Sequence, residues 1–208
     1  MTRKIKNIKG ILIVLVALIF IAALFYFLSY KPLSPLRLNK TTYKTFHFNE
    51  LSLEYPNWPS LNIEILNRFI NNSLPPELSN KARILVGVTD NEGAVVLIIR
   101  RELLKKEEGL PFGNLIKEVI EEETKSFTNI GALQDFKILK ETYSDREIEI
   151  EWQGIDGRGV GYKGINHTYL LTTNFLGFQN KYLYTLSFSA PLDRFNFYQK
   201  IVNHLFNR

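Results

Sequence analysis

Residues 146–152 read Arg-Glu-Ile-Glu-Ile-Glu-Trp, and this alternation decides the fold class. Successive side chains of an extended chain point to opposite faces, so Ile148, Ile150 and Trp152 share one side and Glu147, Glu149 and Glu151 the other. One face is buried and the other wet, as in an antiparallel sheet. Moving outward, the segments Phe136 to Tyr143, Ile165 to Phe175 and Tyr182 to Ser189 carry similar strand patterns. Their spacing predicts sequential hairpins in a meander, with Gln179-Asn180 in the turn between the last two strands.

Further towards the N-terminus, Ile84 to Val88 and Ala94 to Arg101 flank Thr89-Asp90-Asn91-Glu92-Gly93, which predicts a hairpin with Gly93 supplying a positive φ. The run AVVLII at 94–99 has no polar side, so that strand is expected to be covered on both faces. Tyr43 to Phe48 and Leu51 to Tyr55 alternate around Asn49-Glu50 and predict two strands joined by a tight turn, ended by Tyr55-Pro56-Asn57-Trp58-Pro59. Helical spacing marks three segments: Asn62 to Asn72; Gly113 to Phe127, with an acidic outer face; and a terminal helix from about Leu192. In the last, Phe195, Tyr198, Ile201, Val202, Leu205 and Phe206 form one apolar stripe. The expected fold class is α+β: an antiparallel sheet of about six or seven strands flanked by helices, an α-β-α sandwich, preceded by one transmembrane helix.

The order of these elements resembles the PsbP-like family, named for an extrinsic lumenal protein of photosystem II. The resemblance is carried by Phe46-His47-Phe48 and Leu51-Ser52-Leu53-Glu54-Tyr55-Pro56-Asn57-Trp58, which are similar to that family's opening strand pair and its Tyr-Pro-x-x-Trp-like turn. It extends over roughly residues 43–208. It implies an α-β-α sandwich acting as a non-enzymatic accessory or binding domain close to a membrane, and it transfers no functional residue.

The N-terminal end carries the topology. Ile11 to Tyr30 reads ILIVLVALIFIAALFYFLSY, with no charge between Lys9 and Lys31. At about 1.5 Å per residue such a helix covers about 30 Å, the thickness of a bilayer's hydrocarbon core. Arg3, Lys4, Lys6 and Lys9 precede it without an acidic residue, which predicts a cytoplasmic N-terminus. The run is longer than a secretory signal's apolar region and ends in bulky residues, so an uncleaved anchor is expected. The organisation read from the sequence is therefore a basic cytoplasmic tail at 1–10, a membrane helix at 11–30, a Pro-containing tether at 31–42 and an extracytoplasmic α+β domain at 43–208.

Charge and composition narrow the function. The chain's net +5 suggests a nucleic-acid binder. Residues 1–30 hold 4 of the 26 Lys and Arg and none of the 21 acidic residues, leaving 22 basic against 21 acidic over 31–208, a net of +1. The basic character belongs to the topology signal, and nucleic acid is not an expected partner. Absence of cysteine removes disulfides, thiol nucleophiles and thiolate metal sites.

No chemical motif survives its context. Gly159-Val160-Gly161-Tyr162-Lys163-Gly164 matches G-x-G-x-x-G, but a strand follows where a dinucleotide site needs a helix N-terminus. A flexible Gly-rich hairpin loop over Gly154 to Gly164 is expected instead, with Arg158 and Lys163 available to an anionic partner. His47, His167 and His204 are scattered, and a metal would need two to converge with carboxylate help. No G-x-S-x-G occurs. Carboxylates such as Glu107-Glu108 and Glu121-Glu122-Glu123 sit on polar faces. The sequons at Asn39, Asn71 and Asn166 matter only in a host that glycosylates exported proteins. The expectation is a membrane-anchored extracytoplasmic accessory or binding module without catalytic, cofactor or metal residues, engaging a protein of the envelope or membrane. Two alternatives stand: a carboxylate-based envelope hydrolase, and a small-ligand carrier lined by Tyr162, Tyr169, Tyr182 and Tyr184.

Overall fold

The computed structural model describes residues 41–73, 81–103, 111, 114–115, 133–156, 159–175 and 178–207. The basic tail, the membrane helix, nearly all of the tether and most of the helix expected at 113–127 lie outside these. Among the described residues no helix is long and apolar enough to cross a membrane.

Tyr43–Phe48 (β1) and Leu51–Pro56 (β2) pair antiparallel around Asn49, whose φ of 50° suits a residue type that tolerates the left-handed region. This hairpin is a separate two-stranded sheet and does not extend the main one. Ile63–Ser73 (α1) follows. Asn62 starts it: its side-chain oxygen accepts the Ile65 amide at 3.2 Å, satisfying one of the donors a helix N-terminus leaves open.

The main sheet contains Ala82–Thr89 (β3), Val95–Glu102 (β4), Leu133–Tyr143 (β5), Glu147–Asp156 (β6), Gly161–Phe175 (β7) and Phe178–Pro191 (β8), in the order β3-β4-β8-β7-β6-β5, all antiparallel. Gly93 takes φ 91° between β3 and β4, as expected. The edge of β3 is protected. Ser60 bridges Val88, the Leu61 amide donates to Gly87, and the Asn67 side chain exchanges two hydrogen bonds with the Ile84 backbone at 2.8 and 3.0 Å.

Two readings are corrected. Gln179 and Asn180 lie inside β8, paired with Asn174 and Thr173, so the turn comes earlier and both strands are longer than their apolar patterns. The supposed Gly154–Gly164 loop is mostly strand: Gly154 belongs to β6, and Gly161 and Gly164 to β7, while Gly159 holds φ 84° in the short connection.

Each face of the sheet buries a separate core. Val95, Leu97 and Ile99 of β4 join Ile148, Trp152, Leu183 and the α1 residue Leu66 on one side. Val96 and Ile98 join Leu186, Phe188 and Ile165 on the other, beneath the β1–β2 hairpin and the C-terminal segment. The run at 94–99 is thus covered on both faces, as its composition requires. The terminal segment is a 3-10 turn, Phe195–Tyr198, leading into Gln199–Leu205 (α2). All six residues of the expected stripe are buried there.

Candidate functional site

Arg100 lies directly opposite Tyr184 on the neighbouring β8, and Tyr184 opposite Tyr169 on β7, so the three share the sheet face that the hairpin covers. The turn end of the hairpin reaches this point, with the Phe48 ring tilted 30° against Tyr184 at 4.7 Å between centroids. Between turn and sheet is a cleft of about 580 Å³, lined by Phe48, Asn49, Glu50, Arg100, Thr172 and Tyr182 among others. The Arg100 guanidinium carbon sits 5.4 Å over the Tyr182 ring, a cation–π contact that holds the planar group. Burial pushes the Tyr184 phenol up to about 12, against a smaller lowering by Arg100. The buried Arg100 Nε has no hydrogen-bond partner among the described residues.

The same face opens over β5, β6 and β7. Glu147, Glu149 and Glu151 project from it as the sequence alternation requires, opposite Tyr169, His167 and Ile165 respectively. His167 Nε2 lies 3.2 Å from Glu147, its Nδ1 lies 3.1 Å from the Tyr169 hydroxyl, and the two rings stack at 4.3 Å. Tyr169 is pushed up to about 12 by burial first and then by the charges of Glu147 and Glu149. Alongside, a depression of about 330 Å³ is lined by Lys140, Thr142, Tyr143, Glu147, Glu149 and His167.

A third polar group ties the β3–β4 turn to the C-terminal segment. Asp90 Oδ1 accepts the amides of Glu92 and Ala94, each at 2.9 Å, and its other oxygen accepts the Tyr198 hydroxyl. Arg194 pairs with Glu92 beside it. Burial raises the Asp90 carboxyl above its usual range, with the three hydrogen bonds acting in the other direction. Tyr198 is raised as well, by burial and then by the Asp90 charge. Every one of these contacts fixes a turn or a chain end.

The residues singled out from sequence are dispersed. Lys163 sits in β7, paired with Glu151 at 2.6 Å and placed 4.7 Å over the Phe195 ring; Arg158 lies outside the described residues. His47 is exposed on β1, His204 stacks on Tyr43 and pairs with Glu54 at 2.7 Å, and His167 is on β7, so the histidines do not converge. Among the described residues no cluster of His, Asp and Glu is arranged to hold a metal ion. The four carrier tyrosines do not line one cavity: Tyr162 packs in the core of the opposite face, and of the four Tyr182 borders the cleft. The Asn166 sequon lies within β7 at 5% exposure, where no glycan fits. Glu107, Glu108 and Glu121 to Glu123 lie outside the described residues.

The third glycine of the G-x-G-x-x-G run has a packing role. Gly164 faces Trp152 across β6 and β7, and a Cβ there would lie 2.3 Å from the indole. Arg100, which the sequence reading passed over, had one signal: a cation that continues the alternation of Val96 and Ile98 directly after the apolar run 94–99.

Neither a family model nor a curated protein matches the sequence. A structural likeness exists to the family suggested by Phe46 to Trp58. The chain is similar to a cyanobacterial PsbP. That protein, CyanoP from Synechocystis sp. PCC 6803, aligns over 84% of this chain and 95% of its own, with a TM-score of 0.48 and 13% identity. LpqN of Mycobacterium tuberculosis, described as involved in cell envelope biogenesis, aligns over 63% of this chain and 78% of its own, with a TM-score of 0.38 and 13% identity. Likeness at this level carries no ligand, partner or activity across to the chain.

Proposed function

We propose that the chain is a membrane-anchored extracytoplasmic accessory module without catalytic activity, which docks a protein of the envelope or membrane. The observation that carries this reading is the half-covered sheet face. The hairpin and α2 close it over β4 and β8, while over β5 and β6 it presents the exposed Lys140, Thr142 and Glu147 beside the half-exposed Glu149. A mixed-charge, strand-held surface of this kind suits a polar, complementary partner surface. The apolar N-terminal run and the short tether at 31–42 support a position close to the membrane.

The hydrolase alternative needs converging carboxylates, one of them raised. Asp90 is raised, and both of its oxygens are engaged in fixing a turn.

Photo-cross-linking of the full chain in its native membrane tests the docking reading, with the reactive group at Thr142 and, as control, at Arg83, exposed on β3. A discrete adduct from Thr142, absent from Arg83 and weakened by Glu147→Lys, supports it. Equal labelling from both positions, or none from Thr142, rejects it.

A further inference from the structure

We infer that the cleft between the β1–β2 turn and strands β4, β8 and β7 is a binding site for the oxyanion group, carboxylate or phosphate, of a soluble ligand. Arg100 is the anchoring residue. A guanidinium stays charged at all relevant pH values, and a charge taken partly out of water is ordinarily matched by a carboxylate. Arg100 is half-buried on a central strand, and among the described residues no carboxylate lies within ion-pairing distance of it. Its observed neighbours are the Tyr182 ring beneath it and the buried Tyr184 hydroxyl, neither of which carries a charge to match it.

This environment fixes the fork without neutralising it. A planar fork held on an aromatic face is pre-organised for two parallel hydrogen bonds to an oxyanion. Thr173 borders the same cleft, its hydroxyl donating to the Asn180 carbonyl at 3.4 Å, and Phe48, Leu171 and Tyr182 add apolar wall. The ligand class is therefore a compact oxyanion attached to a partly apolar body. Glu50, exposed on the turn, is the group of opposite preference, since its negative charge at the rim repels an anion.

The position of the cleft separates two sources of such a group. The chain enters β1 at Tyr43, and the cleft lies at the other end of that strand, beyond Phe48. At about 3.3 Å per residue the strand separates the two by about 17 Å. A site at the end of the hairpin remote from the tether favours a soluble oxyanion over a lipid headgroup. The cleft is distinct from the open half of the sheet over β5 and β6, so failure of the cross-linking leaves this inference standing.

Calorimetric titration of the full chain in detergent micelles tests it with three probes: inorganic phosphate, succinate and short-chain phosphatidylglycerol. Saturable binding of phosphate or succinate is expected. Loss of one charge-assisted, bidentate contact predicts about tenfold weaker binding in Arg100→Gln, and removal of the rim charge predicts about two- to fivefold tighter binding in Glu50→Gln. The absence of saturable binding by both soluble anions, a response to the lipid alone, or affinities indifferent to the substitutions would overturn the assignment. If Arg100→Gln does not fold, Glu50→Gln, altered on an exposed turn, decides it by the sign of its effect.

Discussion

Strands β4 and β5 belong to one sheet and face opposite fates. Val95 to Ile99 of β4 are buried on both faces, whereas over Asp135 to Tyr143 of β5 Phe136 and Ile138 are half-buried and the rest are exposed. The difference follows from sheet order. β4 lies between β3 and β8, under α1 on one side and under the hairpin and α2 on the other, while β5 is the last strand. Composition follows place: AVVLII where two cores meet, REIEIEW on β6 where one core and water meet, and FKILKETY at the edge. Evenly distributed stability would abolish the contrast, and substitutions in the two halves can break or sharpen it.

The largest effect is expected at Leu186, 1% exposed beneath the hairpin on β8. Leu186→Ala removes buried methyl groups and leaves a cavity among side chains fixed by two layers, costing about 2–5 kcal/mol. Urea denaturation monitored by circular dichroism measures it; a loss below about 1 kcal/mol would mean that the covered half is loosely packed.

Next comes Gly164. Its missing side chain is the space that Trp152 occupies, and a Cβ 2.3 Å from the indole forces the ring or the strand to move. Gly164→Ala should cost about 1–3 kcal/mol or more by overpacking. Combined with Trp152→Leu, the alanine should cost much less, since the clash has gone; strict additivity in this double-mutant cycle would refute the account. The same pair explains why a nucleotide fingerprint was legible in the sequence and misleading. Glycine spacing reports close approach by something, and the sequence does not name the indole of Trp152, twelve residues upstream, as that something.

The Asp90 corner is a smaller, pH-dependent case. Tyr198→Phe removes the donor to Asp90 Oδ2 and should cost about 1–2 kcal/mol. The Asp90 carboxyl is raised above its ordinary 3.8, so the folded protein keeps this proton where the unfolded chain has lost it. Its contribution to stability is fully present below pH 3.8 and is lost as pH rises through the elevated folded value. Asp90→Asn should flatten that part of the stability–pH profile; an unchanged slope would show that another group carries it.

What the sequence made legible was local. Alternation located the strands, the Asn49 and Gly93 turns stood where turn chemistry places them, and all six residues of the terminal stripe were buried. Pairing between distant strands was not legible. β4 joins β8 across more than 75 intervening residues, and an alternating pattern states which face is buried without stating which strand lies alongside. The Arg100 cleft was hidden for the same reason: Phe48, Arg100, Thr172 and Tyr182 come from three separated stretches that meet only through that pairing. The open Glu147–Glu149 face could be read because it arises within one strand.

The smallest expected effect isolates position from residue type. Leu139, on β5, is 47% exposed, so about half of its side chain is already in water when the protein is folded. Leu139→Ala deletes the same atoms as Leu186→Ala, yet only about half of that surface is buried on folding and no enclosed cavity is left. The expected cost is under about 1 kcal/mol, much of it the lower strand propensity of alanine. Two identical substitutions in one sheet thus measure the difference between its halves without a change of chemistry. Equal costs at Leu139 and Leu186 would mean that something covers the β5 edge in solution, and a cost at Leu139 that rises in native membranes relative to detergent would point to the docked partner as the cover.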